Sequence, residues 1–414
     1  MVKEGYKQTE IGIIPESWDV KKMGEFTNAV AGGTPSTAHP EYWNGEILWM
    51  SSGELNKRRI HNVIGRITEL GYNNSSTHMI PENCVLIGLA GQGKTRGTVA
   101  VNYVELCTNQ SIAAIFPSKE HNSEYLYQNL WSRYEELREL SSGDGGRGGL
   151  NLTIIKNFPC AFPKLQEQNR IAEALSDVDS MISALEKLIA KKKAVKQGAM
   201  QELLTGKKRL PGFDGDIKYK SLASLCTVFA DGDWIESKDQ SNDGIRLIQT
   251  GNIGVGKYLD KTDKQRFIST DTFDRLKCLE IFENDVIVSR LPEPAGRACI
   301  LPYSNKRRIT AVDCTIIRFA DYNPILFVAY SQTKQYQDKV DMAMAGSTRQ
   351  RISRKEFGEI PIPVFPTIEE QNALASIFSD MDSEIEALEQ KLEKTRQIKQ
   401  GMMQQLLTGK IRLV

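Results

Sequence analysis

The chain of 414 residues is 40% hydrophobic and 25% charged, proportions of an ordinary globular protein with room for two to four domains. Lys and Arg total 53 against 52 Asp and Glu, so a net charge of +1 gives no global basic field; a DNA partner would need locally clustered positive charge, or charge from another subunit. The polar start and the lack of a long apolar run argue against a signal peptide or membrane span, and seven scattered cysteines, none at C-x-x-C spacing, argue against structural zinc and read as reduced, mostly buried thiols of a cytoplasmic protein.

Residues 1–164 read as a first mixed α and β segment. Strand-like runs fall at 47–50, 85–87 and 98–104, and a helix is expected over 123–140. Between the second and third runs, Gly88-Leu-Ala-Gly-Gln-Gly93-Lys94-Thr95 matches the G-x-x-x-x-G-K-[ST] phosphate-loop pattern letter for letter. A phosphate cradle needs a helix starting at that loop, so that backbone N–H groups face the anion. The next residues, Arg96-Gly-Thr-Val-Ala-Val-Asn, are β-forming instead. The loop therefore reads as a turn joining two strands, with Lys94 and Arg96 exposed. A nucleotide-binding enzyme built on it is the rival reading.

The dominant feature is a repeat. Residues 167–210 and 370–413 align without a gap, with about 25 of roughly 44 positions identical, far above chance for a fixed period. Each copy has the pattern of one long helix, over 165–206 and 367–414. Apolar residues at Ile171, Leu175, Val178, Ile182, Leu185 and Ile189 alternate steps of four and three, the seam of a coiled coil. Leu374, Phe378, Met381, Ile385, Leu388 and Leu392 do the same. Lys192 and Thr395 weaken the seam; Val195, Ala199 and Leu203, and Ile398, Met402 and Leu406, resume it. Thr367 with Glu370 fits a capping box, and Gly206 and Gly409 sit where a C′ glycine stops a helix. About 39 residues would make a rod of roughly 58 Å. The matched stripes point to an antiparallel pair about a pseudo-twofold axis, rather than to helices packed each on its own domain. The expected fold is α+β: two mixed α/β domains, 1–164 and 207–366, separated by two long helices in an antiparallel coiled coil.

The second globular segment holds strand-like runs at 245–248, 285–289 and 311–319 and a helix at 324–339. It echoes the first only faintly, at 47–55 with 245–253 and at 85–87 with 286–288. Helices alike and globular parts unlike suggest that each globular part reads something different. Off-seam positions shared by the helices are Asp177 with Asp380, Asp179 with Asp382, Gln197 with Gln400 and Gly198 with Gly401. A common core does not explain them, and they suggest docking surfaces for two copies of one partner, with partial gene conversion between the repeats as the alternative.

Positive charge for DNA is sought in loops. Candidates are Lys57, Arg58 and Arg59; Lys94 and Arg96; Arg290 and Arg297; Arg307 and Arg308; Arg147 in Gly143-Asp-Gly-Gly-Arg-Gly-Gly149; and Arg349, Gln350 and Arg351 in the matching place. Arginine can bond bidentately to guanine and glutamine to adenine, and glycine permits close approach. Solvated charge and a flexible loop are the plainer alternatives. No metal-ligand spacing, nucleophile elbow or methyltransferase motif is visible, so neither a catalytic residue nor a metal site is expected.

Tyr6-Lys-Gln-Thr-Glu-Ile-Gly12, Ile14-Pro15 and Trp18 open the chain, and the two Phe-Pro pairs at 162–163 and 365–366, Glu-Gln at 167–168 and 370–371, and Leu-Leu-Thr-Gly-Lys at 203–207 and 406–410 follow as an ordered duplication. In this the chain resembles, over essentially its whole length, the specificity subunits of type I restriction–modification systems. The resemblance implies that each globular segment is a target-recognition domain and that the site on double-stranded DNA is bipartite. It implies a non-catalytic chain assembled with two methyltransferase (modification) subunits and, for cleavage, ATP-dependent translocase/nuclease restriction subunits. No cofactor would be bound here; S-adenosylmethionine, ATP and Mg would belong to the partners. The remaining rival is a purely structural coiled-coil adaptor.

Overall fold

The computed structural model describes residues 2–91, 94–140, 149–344 and 351–414. The chain falls into two compact units, Met1–Glu186 with Lys391–Val414, and Lys187–Gln390. The two long helices span Leu165–Leu203 and Ile368–Leu406, 39 residues each, so each helix contributes one stretch to each unit. The Thr367 hydroxyl accepts the Glu370 N–H at 3.2 Å. The Glu370 carboxylate, however, turns to Arg209, so only half of the expected capping box forms. Gly206 and Gly409 follow the helix ends with φ of 76° and 68°, where any Cβ is penalised.

Within each unit the helix stretches run antiparallel. In the first, Asp179 pairs with Lys399 and Glu186 with Arg396, both at 2.6 Å. In the second, Lys192 pairs with Glu384 and Lys193 with Glu389 at 2.6 Å, and Lys196 pairs with Asp382. The repeat maps Asp179–Lys399 onto Asp382–Lys196, and Glu186–Arg396 onto Glu389–Lys193. One expectation fails in the seam. Val195 and Ile398 are 52% and 50% exposed, while Lys196 and Lys399 are 7% and 3% exposed. The four–three alternation runs on through Lys192 and Lys196, and through Thr395 and Lys399. A lysine is tolerated there because a carboxylate meets it, and a polar seam residue favours one register over its neighbours.

The globular parts share a topology that their sequences hide. In the first unit a sheet runs in the order Ala29–Ala31, Ile112–Ile115, Val85–Gly88, Val99–Asn102, Arg59–Ile60. In the second it runs Cys226–Asp231, Cys314–Phe319, Val286–Ser289, Ala298–Ile300. Each unit adds a smaller sheet in which one strand (Trp43–Met50 or Ile245–Ile248) has a parallel and an antiparallel neighbour. The inner strands Val85–Gly88, Ile112–Ile115 and Val286–Ser289 are buried on both faces, as their continuous apolar runs require. The expected helices each break once, into Ser123–Ser132 with Tyr134–Glu139 and Pro324–Tyr330 with Lys334–Met344. Asn122 and Asn323 cap the first of each pair and bond Gln168 and Asn169, or Gln371 and Asn372, on the long helix at 2.9–3.1 Å. The sheet-covering helix is thereby fastened to the long helix identically in both units.

Candidate nucleic-acid interface

The same corner is built at one end of each main sheet. In the first unit the hairpin Val85–Gly88/Val99–Asn102 closes through Gly88 N–H to Thr98 O at 2.9 Å and Gly97 N–H to Gly88 O at 2.9 Å. Leu89 N–H then reaches Ser111 O at 2.8 Å, and Leu150 N–H reaches Leu89 O at 3.0 Å. In the second unit the counterparts are Ser289 to Arg297 at 2.9 Å, Gly296 to Ser289 at 2.8 Å, Arg290 to Asp313 at 2.9 Å and Ile352 to Arg290 at 3.4 Å. Beside the hairpin, Gly32 and Gly33 N–H bond Ile112 O and Thr108 O at 3.1 and 2.8 Å; Gly232 and Asp233 bond Cys314 O and Thr310 O at 2.9 and 2.8 Å. A Cβ on Gly32 would lie 2.1 Å from Thr108 O, and one on Gly232 2.3 Å from Ala311 O. Backbone contact therefore demands glycine at both places.

This geometry decides the phosphate-loop question at the level of backbone. The described residues after Gly88 return as an antiparallel strand, not a helix, so among the described residues the loop does not open onto a helix N-terminus that could cradle a phosphate. Lys94 is exposed and Arg96 half-buried; Gln92 and Gly93 lie outside the described residues.

The predicted cations divide by burial. Arg290 is 3% exposed, pairs with Asp231 at 3.0 Å and donates to the Val312 carbonyl at 2.6 Å. Arg297 donates to the carbonyls of Ile253, Leu291, Pro294 and Thr250 at 2.8–3.0 Å. Arg308 is 5% exposed in the strand Arg308–Thr310. Burial pulls all three guanidinium groups below their usual pKa. Expected on a DNA-facing loop, Arg290 and Arg308 are instead buried and Arg297 half-buried, with the Arg297 guanidinium bracing the hairpin loop through the Leu291 and Pro294 carbonyls. Arg307 chelates Glu280 at 2.8 and 2.9 Å above the Phe273 ring. Arg351 meets Asp313 at 3.0 Å at the edge of the second corner. Arg147, Arg349 and Gln350 lie outside the described residues.

Lys57, Arg58 and Arg59 belong to a different place. Arg59 pairs with Glu124 at 2.8 Å and Asp179 at 3.4 Å and lies 4.2 Å from the Tyr127 ring centre. Arg58, at φ 61°, sits 4.1 Å from the Trp131 ring, and Lys399 is 3.7 Å from the same ring. Lys57, Arg58, Trp131, Asp179, Lys399 and Gln400 line one cleft of about 1050 Å³ in the first unit. Two predicted DNA contacts and two predicted docking residues thus share a surface far from the sequence logic that proposed them. Asp179 and Asp382 are occupied internally by lysine, whereas Asp177, Asp380, Gln197 and Gln400 are exposed. Sequence reading missed Glu167 and Arg412, paired at 2.6 Å with Trp18 Nε1 on the same carboxylate at 3.0 Å. Their repeat partners Glu370 and Arg209 also pair at 2.6 Å; identity at both repeat positions was the available signal.

The sequence matches the family profile described as type I restriction modification DNA specificity domain twice, at residues 15–197 and 215–397. Each match takes in one globular part and most of the long helix after it. The chain is 22% identical to the type I restriction enzyme MjaVIII specificity subunit of Methanocaldococcus jannaschii, over 99% of this chain and 97% of that protein. Its fold is similar to the S subunit of a type I restriction-modification system from M. genitalium, with TM-score 0.61 at 16% identity over 94% of this chain and 96% of that one. A second solved chain, from work on complex assembly and conformational transition of the type I R-M system, gives TM-score 0.58 at 14% identity over 96% and 99%.

Proposed function

Because the chain belongs to the family of type I restriction–modification specificity subunits, we propose that it reads a bipartite site on double-stranded DNA, one half-site per globular part, without catalysis of its own. The observation that carries the proposal is one backbone frame bearing unlike side chains in the two units. A scaffold repeated for fit, with divergent loops, suits two readers of different sequences. Lysine and arginine at the loop rims would supply salt-dependent phosphate affinity, while a few side chains read base edges. Arg290 is buried and Arg297 braces the hairpin loop. Arg147, Arg349 and Gln350 remain candidates for base contact.

The long helices carry the docking role. Gly198 and Gly401 are mid-helix glycines whose added Cβ would meet nothing within 4 Å. Glycine there costs about 1 kcal/mol against alanine, and among the described residues no contact accounts for its presence in both copies. Close approach of a partner backbone does, with Asp177, Asp380, Gln197 and Gln400 on the same exposed helices. Two methyltransferase subunits would dock there, and restriction subunits would join for cleavage. S-adenosylmethionine, ATP and Mg would be held by those subunits. The purely structural adaptor leaves the unlike corners without a purpose, and for a nucleotide enzyme the described residues after Gly88 form a strand where a helix is needed.

The test replaces residues 207–366 with the corresponding segment of another family member and co-expresses the chain with its methyltransferase subunits. Mapping methylated positions should show one half of the target changed and the other retained. A target changed in both halves, or in neither, refutes the division of labour.

A further inference from the structure

We propose that the repeated sheet corner is where each unit touches base edges, with Gln110 reading an adenine in one half-site and Trp234 making an apolar contact to thymine in the other. The inference rests on the DNA-reading function proposed above and assigns it to particular side chains.

The matched backbone bonds fix which residues correspond. Thr34 follows Gly32–Gly33 as Trp234 follows Gly232–Asp233, and Gln110 precedes Ser111 as Val312 precedes Asp313. Four positions on two identical frames therefore present different chemistry. In the first unit Gln110 is exposed, and the Thr34 hydroxyl donates to its Oε1. An amide oxygen has two lone pairs, so Oε1 can still accept, while Nε2 makes no hydrogen bond among the described residues. The side chain is held at one end and offers an acceptor and a donor at the other. Adenine presents the complementary N6 donor and N7 acceptor in the major groove. Thr34 acts as a positioning residue.

In the second unit Trp234 is 69% exposed, with its indole Nε1 3.4 Å from Glu236. A ring of that size is ordinarily among the most buried side chains on average. Here it stands out from a rim whose other corner residue is Val312. An apolar pair at that place suits the C5-methyl group of thymine, the only apolar feature a base offers in the major groove. Cations suited to phosphate flank both corners: Lys94 is exposed on the first hairpin, and the Arg354 side chain is 48% exposed beside the second.

The experiment selects duplexes from a randomised pool with the full chain assembled with its methyltransferase subunits. Gln110→Ala should erase the preference at one base pair of one half-site and weaken the parental target by about 5- to 150-fold. Thr34→Val should weaken the same preference partially. Trp234→Ala should act only on the other half-site, and Trp234→Phe should restore most of the preference. Both main positions are exposed, so folding is not at stake, and circular dichroism checks it. Unchanged base preferences in the alanine variants, or equal weakening across all sequences, would overturn the assignment while leaving DNA reading intact. A parent complex that selects no sequence at all would overturn the function as well.

Discussion

Arg412→Ala is expected to destabilise the first unit by about 3 kcal/mol at neutral pH, and the cost should fade in acid. Glu167 is 4% exposed and receives Arg412 Nε and Nη2 at 2.6 and 2.7 Å and Trp18 Nε1 at 3.0 Å. Removing one member of a buried pair costs about 3–5 kcal/mol, because the other charge is left behind. The Arg412 side chain is itself 28% exposed, so water can reach the vacated space, which sets the lower end of that range. In the parent, burial pushes the Glu167 carboxyl up, but Arg412 and Trp18 outweigh it and hold the pKa below the ordinary value. The pair therefore stabilises above the unfolded carboxyl pKa of about 4.3, and that stability is lost as pH falls through the lower folded value. In the variant the folded pKa moves above about 4.3, and the sign reverses. Destabilisation relative to the parent should be largest near pH 7, shrink as pH falls through the variant's raised carboxyl value, and vanish only below the parent's lowered one. Urea unfolding at several pH values, followed by tryptophan fluorescence, measures it. A penalty independent of pH, or a double variant Glu167→Gln/Arg412→Ala no more stable at pH 7 than Arg412→Ala, would refute the reasoning. Arg209→Ala should likewise destabilise the second unit at neutral pH, because it leaves Glu370, 1% exposed, without its partner.

Burial lowers the Lys399 pKa to about 8 despite Asp179 at 2.6 Å, so parent stability should rise between pH 8 and the unfolded lysine value of about 10.4. Lys399→Met should abolish that rise, and should cost little at pH 7 because Gln128 and Arg59 still meet Asp179 at 2.8 and 3.4 Å; an undiminished alkaline slope would count against it. Gly409→Ala should cost more than the roughly 1 kcal/mol expected from φ alone, because its Cβ would come 2.4 Å from Pro15 Cγ, whereas Gly206→Ala meets only the movable end of Ile217; equal losses in thermal unfolding would contradict this. On the proposed bipartite reading, one heptad inserted at matched points of both long helices adds about 10 Å and should lengthen the unread DNA spacer by about three base pairs at 3.4 Å each, an outcome read by methylation mapping and contradicted by an unchanged spacer.

Legibility in the sequence tracks the physics of each element. The helices were legible because seam spacing is local and was written twice. The slip at Val195 and Ile398 came from following hydrophobicity where spacing held: the seam takes Lys196 and Lys399 one position later. The shared sheet topology was not legible, since backbone hydrogen bonds fix it and many different side chains can fill the same buried strands. Only residues such as Gly32 and Gly232, where backbone touches backbone, betray it. The arginines misled for a related reason. Arg290 and Asp231 are distant in sequence, and a cation's partner decides whether it faces solvent.

Internal pairing also narrows what repeat identity means. Glu167, Gln168, Asn169, Asp179, Lys196 and Arg209 each recur in the second copy with a contact that recurs too, and Gly206 recurs with its positive φ. Their identity is required by folding and says nothing of a partner. Asp177 with Asp380, Gln197 with Gln400 and Gly198 with Gly401 remain after that subtraction. The glycines argue most strongly, because a helix interior facing open space gains nothing from them. Substituting alanine there should stabilise the isolated chain by up to about 1 kcal/mol each. If these positions serve assembly, the same change should weaken the complex; a variant gaining stability with assembly unimpaired would remove the glycines from the docking surface.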